Sequence, residues 1–322
     1  MARLFIDWLS QGYPTTIRRG FEFLGDAGRI RRGDRVCVKP NLTYPTFRRG
    51  VMTNPQALEA LLIYLKEFTE RITICESDSG GYNPFPMTDV FERTGLVDLA
   101  KRYGARIVNM SHEPSRVITC RTPWRRLRVS LPTMLLDDTD VFVTVPVPKV
   151  HLNTTVSIAI KNQWGIIQDP ALRLKLHPYF KYVVHTLNRA LPRTIAVVDG
   201  KYGLNRSGPL RGDVVDLNWI VVSDSVYYCD LLVTQLMGLD AKRIPYLRYI
   251  LEREGIQSLE NAELSTSPTP FRSPTPFVLE RAWTDYPGLL TFRSRVLAYI
   301  GYESALARPL HWLLYRFREP FY

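Results

Sequence analysis

Short apolar runs alternate along this chain with longer amphipathic stretches. Runs rich in Val and Ile are typical of buried strands, and apolar residues three or four apart are typical of helices. The predicted strands are residues 35–39, 72–76, 105–109, 140–146, 194–199 and 219–223. The predicted helices are residues 54–68, 88–103, 154–167, 180–190, 224–236 and 243–254. This alternation predicts an α/β protein with a mostly parallel, Rossmann-like sheet flanked by helices, in one domain or two lobes.

Local signals refine some of these elements. Asn54 and Pro55 suit the N-cap and the first position of a helix, and Gly95 is expected to interrupt the helix predicted at 88–103. Two extended runs, 116–120 and 125–129, predict a hairpin or an edge pair.

The composition changes after Gly255. Residues 1–255 are the predicted core domain, and residues 256–288, rich in Ser, Thr and Pro, are the predicted linker or arm. Residues 289–322 have apolar side chains at roughly helical spacing and predict an amphipathic helical tail. The favoured interpretation is a tail that docks on the body. The alternative is peripheral contact with an anionic membrane, with arginines such as Arg308 and Arg318 near the headgroups.

Charge and cysteine content narrow the partners. The formal net charge of +11 favours anionic partners, namely nucleic acid, phosphorylated metabolites or a membrane surface, without choosing among them. The scattered arginines and the lack of a recognition motif make nucleic acid an unlikely partner, and a small anionic molecule is the expected one. Four widely spaced cysteines form no CxxC pair, so no iron–sulfur cluster is expected. The N-terminus has no signal-peptide pattern and no apolar run reaches the ~20 residues of a membrane span, which predicts a cytoplasmic protein.

Polar side chains follow several predicted strands at the point where each strand ends. Ligands of open α/β sheets bind at the carboxyl ends of the strands, so these side chains are expected to share one edge. The residues are Lys39 and Asn41, Thr53 and Asn54 at the next helix, Glu76 and Ser77 before Gly80 and Gly81, Asp199, and Asp224.

The densest cluster is the segment PKVHLNTTVSIAIKNQWG, which begins at Pro148. Lys149 and His151 are two residues apart in extended chain and therefore point the same way. Thr154 is expected to cap a helix whose free N–H groups would bind an anion, with Lys161 and Asn162 two turns later. A surface lysine and a hydrogen-bonded histidine are the plain alternative for any one of these residues.

The site assignment follows from these positions. The candidate catalytic residues are Lys149, His151, His177 and Glu76. The candidate substrate-binding residues are Lys39, Asn41, Thr53, Asn54, Ser77, Thr154, Lys161 and Asn162. Asp199 and Asp224 are candidate ligands of a divalent metal, because hard cations prefer carboxylate oxygens, although the cofactor is otherwise unknown.

An ordered set of short motifs resembles the domain-of-unknown-function 362 family. The motifs are VKPNL, TNP, ESDSG, VPKVH, IKNQWG, His177, VVDG, SGPLRGD and the Asp224–Asp230 pair, and they span about residues 36–255. The resemblance implies Rossmann-like lobes and transfers a set of polar positions that adds Asp230 to the residues above. Many relatives carry ferredoxin-type cluster segments, which this chain lacks, and the family implies no settled reaction.

Three functions remain open on this basis. The first is an enzyme that acts on a small anionic metabolite or biosynthetic intermediate, by proton transfer, isomerisation or group transfer. The second is a non-catalytic ligand or cofactor carrier. The third is a biosynthetic protein anchored at a membrane surface by its C-terminal tail.

Overall fold

The structure is a computed structural model that describes residues 1–80 and 83–317. Gly81 and the last residues of the predicted tail, with Arg318, lie outside the described residues. The strands are β1 Ala2–Trp8, β2 Val36–Pro40, β3 Ile72–Glu76, β4 Arg106–Asn109, β5 Ser115–Arg121, β6 Arg126–Pro132, β7 Val141–Val145, β8 Lys149–His151, β9 Thr155–Ser157, β10 Arg193–Asn205, β11 Asp213–Ser223 and β12 Ala262–Leu264. The helices are α1 Gly12–Leu24, α2 Pro55–Lys66, α3 Met87–Arg93, α4 Leu96–Arg102, α5 Thr133–Asp137, α6 Ala159–Asn162, α7 Pro170–Leu176, α8 Phe180–Ala190, α9 Val226–Leu236, α10 Pro245–Arg253, α11 Tyr286–Thr291, α12 Arg295–Tyr302 and α13 Ala307–Leu314.

A single twisted sheet organises the molecule, in the order β12-β1-β11-β10-β7-β2-β3-β4. Strands β10, β7, β2, β3 and β4 run parallel, whereas β11 is antiparallel to both β10 and β1. The prediction of an α/β fold with a mostly parallel sheet is confirmed. Strands β5 and β6 form the predicted hairpin as a separate two-stranded sheet.

Apolar side chains pack on both faces of the sheet, as a parallel sheet requires. Along β7, Val141, Val143 and Val145 join the core under α1 and α2, while Phe142 joins the core under α8 and α9. The alternation follows from the two-residue period of a strand. The two helical layers hold the strand ends rigidly, which fixes the positions of the side chains that follow them.

Helix boundaries agree with the local signals in most places. Asn54 caps α2 by accepting a hydrogen bond from the backbone N–H of Gln56, and Gly95, at φ +75°, separates α3 from α4. The helix predicted at residues 154–167 is wrong. Residues 149–157 form the antiparallel hairpin β8–β9, and helix begins only at Ala159.

The segment after Gly255 wraps over the body. Residues Ala262–Leu264 add strand β12 beside β1, and Phe271 and Phe277 are buried. The tail forms three short helices, of which α12 packs on α7 through an ion pair between Glu303 and Lys175. Within the described residues, no helix has both the length and the apolar character that a membrane crossing requires.

Candidate functional site

A cleft of about 210 Å³ opens at the carboxyl ends of β2 and β3, and we call it the basic pocket. Because β8, α6 and α7 fold over the same ends of the strands, five stretches of chain supply its walls, at residues 39–43, 76–80, 149–165, 173 and 209–210. Its lining is Lys39, Asn41, Leu42, Thr43, Glu76, Ser77, Ser79, Gly80, Lys149, His151, Ser157, Lys161, Asn162, Trp164, Gly165, Arg173, Pro209 and Leu210. A cleft of this size has room for several water molecules or for a small ligand.

The structure brings eight of the predicted site residues to this pocket. They are Lys39, Asn41, Glu76, Ser77, Lys149, His151, Lys161 and Asn162. The other six line no part of it. They are Thr53, Asn54, Thr154, His177, Asp199 and Asp224.

A buried ion pair forms the floor of the pocket. Lys39 Nζ lies 2.7 Å from Glu76 Oε2, and the two side chains are only 2% and 6% exposed. Glu76 Oε1 accepts from the backbone N–H of Ser77 at 3.0 Å, so both carboxylate oxygens are engaged. A Cβ atom at Gly165 would lie 3.1 Å from Glu76 Oε1 and from Lys39 Nζ, so a backbone without a side chain passes directly over the pair.

Asn162 connects this floor to the sheet. Its Nδ2 donates to Thr144 Oγ1 at 2.8 Å and to the carbonyl of Lys39 at 3.3 Å, while its Oδ1 accepts from Lys39 Nζ at 3.5 Å. Asn162 therefore holds the lysine in place by using both ends of its amide.

Two further lysines line the pocket, and neither is paired with a carboxylate in the described part of the chain. Lys149 Nζ donates to the carbonyl of Val51 at 2.7 Å. Lys161 Nζ makes no hydrogen bond or ion pair within the described residues, and it lies 5.9 Å from the centre of the Phe180 ring. Burial, followed by the charges of Lys161 and Lys39, lowers the pKa of Lys149 to about 7. Burial, followed by the charges of Lys39 and Arg173, lowers the pKa of Lys161 to about 7.

His151 and His177 are linked by Asn153. His151 Nδ1 accepts from the backbone N–H of Asn153 at 3.1 Å, and the Asn153 amide nitrogen lies 3.1 Å from His177 Nδ1. When both Nδ1 atoms accept, each neutral ring carries its proton on Nε2. Burial lowers the pKa of His151 well below its usual value and that of His177 to about 3, with the charge of Lys161 adding to both effects.

His177 stands behind the pocket wall. Its ring packs against Trp164 at 5.1 Å and against Phe292 of the tail at 4.5 Å. Within the described residues it reaches the pocket lining through the Trp164 ring and, by way of Asn153, through His151, so its contribution to a reaction would be to position those groups.

Arg173 is a pocket residue that the sequence analysis missed. It is buried on α7, where Nη2 donates to Ser77 Oγ at 2.9 Å and Nε donates to the carbonyl of Ile167 at 2.8 Å. Burial lowers its pKa to about 10, so it stays charged at neutral pH. The only signal in the sequence was the Asp169–Pro170 helix start, which predicts α7 but not the face that Arg173 occupies.

The helix terminus expected to bind an anion is already occupied. Asp230 of α9 is fully buried, and its Oδ1 accepts from the backbone N–H groups of Ala159 at 2.8 Å and Ile160 at 3.2 Å. Thr154 does not cap this helix, because its hydroxyl donates to the carbonyl of Val156 within the β8–β9 hairpin. The positive charge of the pocket therefore comes from side chains.

The remaining predicted residues hold the surrounding chain. Thr53 Oγ1 donates to the carbonyl of Val145 at 2.6 Å and accepts from the N–H of Asn41. Asp199 accepts from the Tyr13 hydroxyl and from the N–H of Asn54, each at 2.7 Å. These contacts tie the loop after β2 and the start of α2 to β7 and β10.

The two carboxylates predicted as metal ligands do not meet. Strand β11 is antiparallel to β10, and Ser223 at the carboxyl end of β11 pairs with Ala196 near the amino end of β10. Asp224 therefore lies beyond the amino-terminal part of β10, whereas Asp199 lies farther toward the carboxyl end of that strand. Its Oδ1 accepts from the backbone N–H of Arg3 at 2.9 Å. Among residues 1–80 and 83–317, no group of three or more His, Cys, Asp or Glu side chains could hold a metal ion.

The charge balance of the pocket decides what it can bind. Four cationic side chains line it, and Glu76 is the sole carboxylate in the described lining and is paired with Lys39. Lys149, Lys161 and Arg173 are left to face the cavity. A small anion between them would supply a negative charge that no paired carboxylate in the described lining gives them, since charge-assisted hydrogen bonds are the strongest kind in proteins.

Comparisons with known proteins add a family and distant likenesses. A family model described as "Domain of unknown function (DUF362)" matches residues 36–235. The "Thylakoid-associated protein sll1697" of Synechocystis sp. is 25% identical over 240 residues, which cover 71% of each chain. The lactate racemase apoprotein from Thermoanaerobacterium thermosaccharolyticum is 13% identical with a TM-score of 0.40, over 61% of this chain and 50% of that one. A Thermotoga maritima protein is 11% identical with a TM-score of 0.35, over 57% and 50%.

The chain thus spans half the length of each of these two solved proteins. The family match extends over more than half of the chain and contains every residue that lines the basic pocket. This chain belongs to the family described as domain of unknown function DUF362.

Proposed function

We propose that this protein is an enzyme that binds a small anionic metabolite in the basic pocket and transfers a proton on it. The observation that carries the proposal is the pair Lys149 and Lys161, which line one small cavity with pKa values of about 7, while Glu76, the carboxylate in the described lining, is paired with Lys39. The small volume favours a metabolite over a polymer.

Anion binding falls to Lys161 and Arg173. Lys161 has no competing acceptor among the described residues, and Arg173 is held rigidly by Ser77 and Ile167. An anion that bridges them would raise the pKa of Lys161, because a nearby negative charge favours the ammonium form.

Proton transfer falls to Lys149 and His151. A lysine with a pKa of about 7 exists in both protonation states at neutral pH, which is the condition for an efficient general base or acid. His151 is neutral at that pH, and its Nε2–H is available as a hydrogen-bond donor to a substrate oxygen. Of these two groups the lysine is therefore the better base, and the histidine the better polarising group.

Binding and turnover are tested separately. Isothermal titration calorimetry with inorganic phosphate and with malonate measures the anion site in the wild type, in Lys161→Met and in the control Lys101→Met, which removes an exposed lysine from α4. Losing a charge-assisted hydrogen bond costs about 1.5–3 kcal/mol, so Lys161→Met is expected to bind at least tenfold more weakly. Equal affinity in all three proteins would refute the anion site.

Turnover is tested by solvent exchange. Small 2-oxo and 2-hydroxy acids are incubated with the protein in D₂O, and proton NMR follows loss of the signal at the carbon beside the carboxylate or carbonyl. Wild-type protein is expected to accelerate exchange for at least one acid, and Lys149→Met is expected to lose that acceleration while it still binds phosphate. Tight binding without any exchange would favour the non-catalytic carrier instead.

A further inference from the structure

The exposed apolar side chains of this protein are concentrated near its C-terminal end. Of the eighteen large apolar side chains that are exposed in the described residues, eleven lie between Trp283 and Phe317. The others are scattered singly over the rest of the molecule, which is normal for a folded protein. A dense group of this kind marks an interaction surface.

The apolar side chains of α13 form a continuous stripe. Leu306, Leu310 and Leu313 recur at intervals of four and three residues, so they share one face of the helix. Trp312, 61% exposed, flanks them, and the Phe317 ring lies 5.5 Å from the ring of Trp283 before α11. On α12, Val296, Leu297 and Tyr299 are exposed as well.

Positive charge accompanies the apolar surface. Arg293, Arg295, Arg308 and Arg316 are exposed, and the Arg316 guanidinium lies 4.5 Å from the Trp312 ring centre. Asp285 and Glu303 are the acidic residues among positions 281–317, and Asp285 is buried while Glu303 pairs with Lys175. Among residues 281–317, the surface therefore combines apolar side chains with arginines that have no carboxylate partner.

Helices α11–α13, which we call the helical platform, are fixed to the body of the protein. Helix α12 packs on α7 through the Lys175–Glu303 ion pair, and Phe292 contacts the ring of His177. The buried side of the platform holds small residues, Ala298, Gly301 and Ala307, which allow close packing and leave the large apolar residues on the outside.

We propose that α11–α13 dock this protein on the surface of an anionic lipid bilayer. Aromatic and aliphatic side chains enter the boundary between headgroups and acyl chains, and the four arginines contact lipid phosphates. Charge complementarity favours this occupant over a second copy of the chain, because two copies facing each other would bring their arginines together. Helix α7 carries Arg173 into the basic pocket and Lys175 to the body-facing side of the platform, so one helix connects the platform to the pocket.

Sedimentation with lipid vesicles tests the apolar part of the proposal. The full chain is mixed with vesicles of phosphatidylcholine alone or with phosphatidylglycerol added. The variant Leu310→Ser/Trp312→Ser/Leu313→Ser changes only exposed side chains, and Trp124→Ser, which removes a 79% exposed tryptophan from the β5–β6 turn, is the matched control. We expect the wild type and the control to bind the anionic vesicles, and the triple variant to bind at least tenfold more weakly.

A charge variant tests the role of the arginines. Arg308→Gln/Arg316→Gln is expected to weaken binding to anionic vesicles by about fivefold per arginine, with a smaller effect at high salt. Arg31→Gln/Arg32→Gln has the same net charge and removes exposed arginines far along the chain, so it is expected to bind like the wild type.

Three results would overturn the proposal. They are a wild type that does not sediment with either kind of vesicle, a triple variant that binds as well as Trp124→Ser, and a dimer in analytical ultracentrifugation that the triple variant dissociates while vesicles bind neither protein. The last result would assign the platform to a second copy of the chain.

Discussion

Removing the charge of Glu76 should destabilise the protein more than any exposed charge substitution. Lys39 Nζ and Glu76 Oε2 are 2.7 Å apart, and both side chains are almost fully buried. At an effective dielectric constant of about 20, their direct attraction is about 6 kcal/mol. Glu76→Gln keeps the shape but leaves the Lys39 ammonium buried without a counter-charge, and breaking a buried pair in this way costs about 3–5 kcal/mol.

The neighbouring cations strengthen this expectation. With Glu76 neutral, Lys39, Lys149, Lys161 and Arg173 would line one cavity with no carboxylate among the described lining residues. The pKa of Lys149 supports this expectation. Burial and the charges of Lys161 and Lys39 lower that pKa, and the charge of Glu76 raises it, so Glu76 is the group that favours the charged lysine.

Urea unfolding followed by circular dichroism measures the effect. With a slope of about 3 kcal/mol per molar urea, a loss of about 4 kcal/mol lowers the midpoint by about 1.3 M. Glu59→Gln is the matched control, because Glu59 pairs with Arg102 at the surface at 3.0 Å and such pairs contribute about 1 kcal/mol or less. If Glu76→Gln and Glu59→Gln shifted the midpoint equally, the pair would not be the buried counter-charge that we describe.

Two further predictions concern stability. The folded-state pKa of Lys149 and Lys161 is about 7, below the usual 10.5, so the unfolded chain binds more protons between these pH values. The ligand-free protein should therefore become more stable as the pH rises from about 7 to 10. Lys161→Met should flatten that rise in a pH series of thermal unfolding, and an unchanged slope would contradict the lowered pKa. Asp230→Ala should lower the free energy of unfolding by about 2 kcal/mol or more, because it leaves the N–H groups of Ala159 and Ile160 buried without an acceptor; a urea midpoint like that of the wild type would argue against this cap.

The spacing of apolar residues along the chain predicted those elements that pack on the core through the same residues. Helix α8 has the predicted bounds, and α2 begins directly after the predicted N-cap Asn54. In α8 the apolar spacing, and in α2 the apolar spacing together with the Asn54 cap, agree with the tertiary packing, so local preference and packing select the same structure.

The β8–β9 hairpin could not be predicted in the same way. Residues TTVSIAI form a short apolar run that suits a strand as well as a helix, and Thr155 adopts a positive φ of 71°, which a β-branched residue rarely does. The hairpin is held in place because β8 pairs with both β9 and β10. The pairing with β10 is a tertiary contact, which the local sequence does not indicate.

The candidate site was predictable where it depended on parallel strands. Lys39, Glu76 and Lys149 follow strands that run in the same direction, so their shared edge follows from topology alone. Asp224 was misplaced because nothing local distinguishes an antiparallel β11 from a parallel one. Arg173 was missed because its position depends on how α7 docks.

The carboxylate of Asp230 at the start of α6 has a consequence for how the pocket responds to its surroundings. Backbone N–H groups carry fixed partial charges, and the protein has already used them on its own side chain. Lys149 and Lys161 face the cavity instead, and with pKa values of about 7 each exists in both the charged and the neutral form near neutral pH. Under the proposed function, an anion that binds there would take up protons from the solvent, and its release would return them. The protonation of Lys149 and Lys161 would then depend on whether the pocket is occupied.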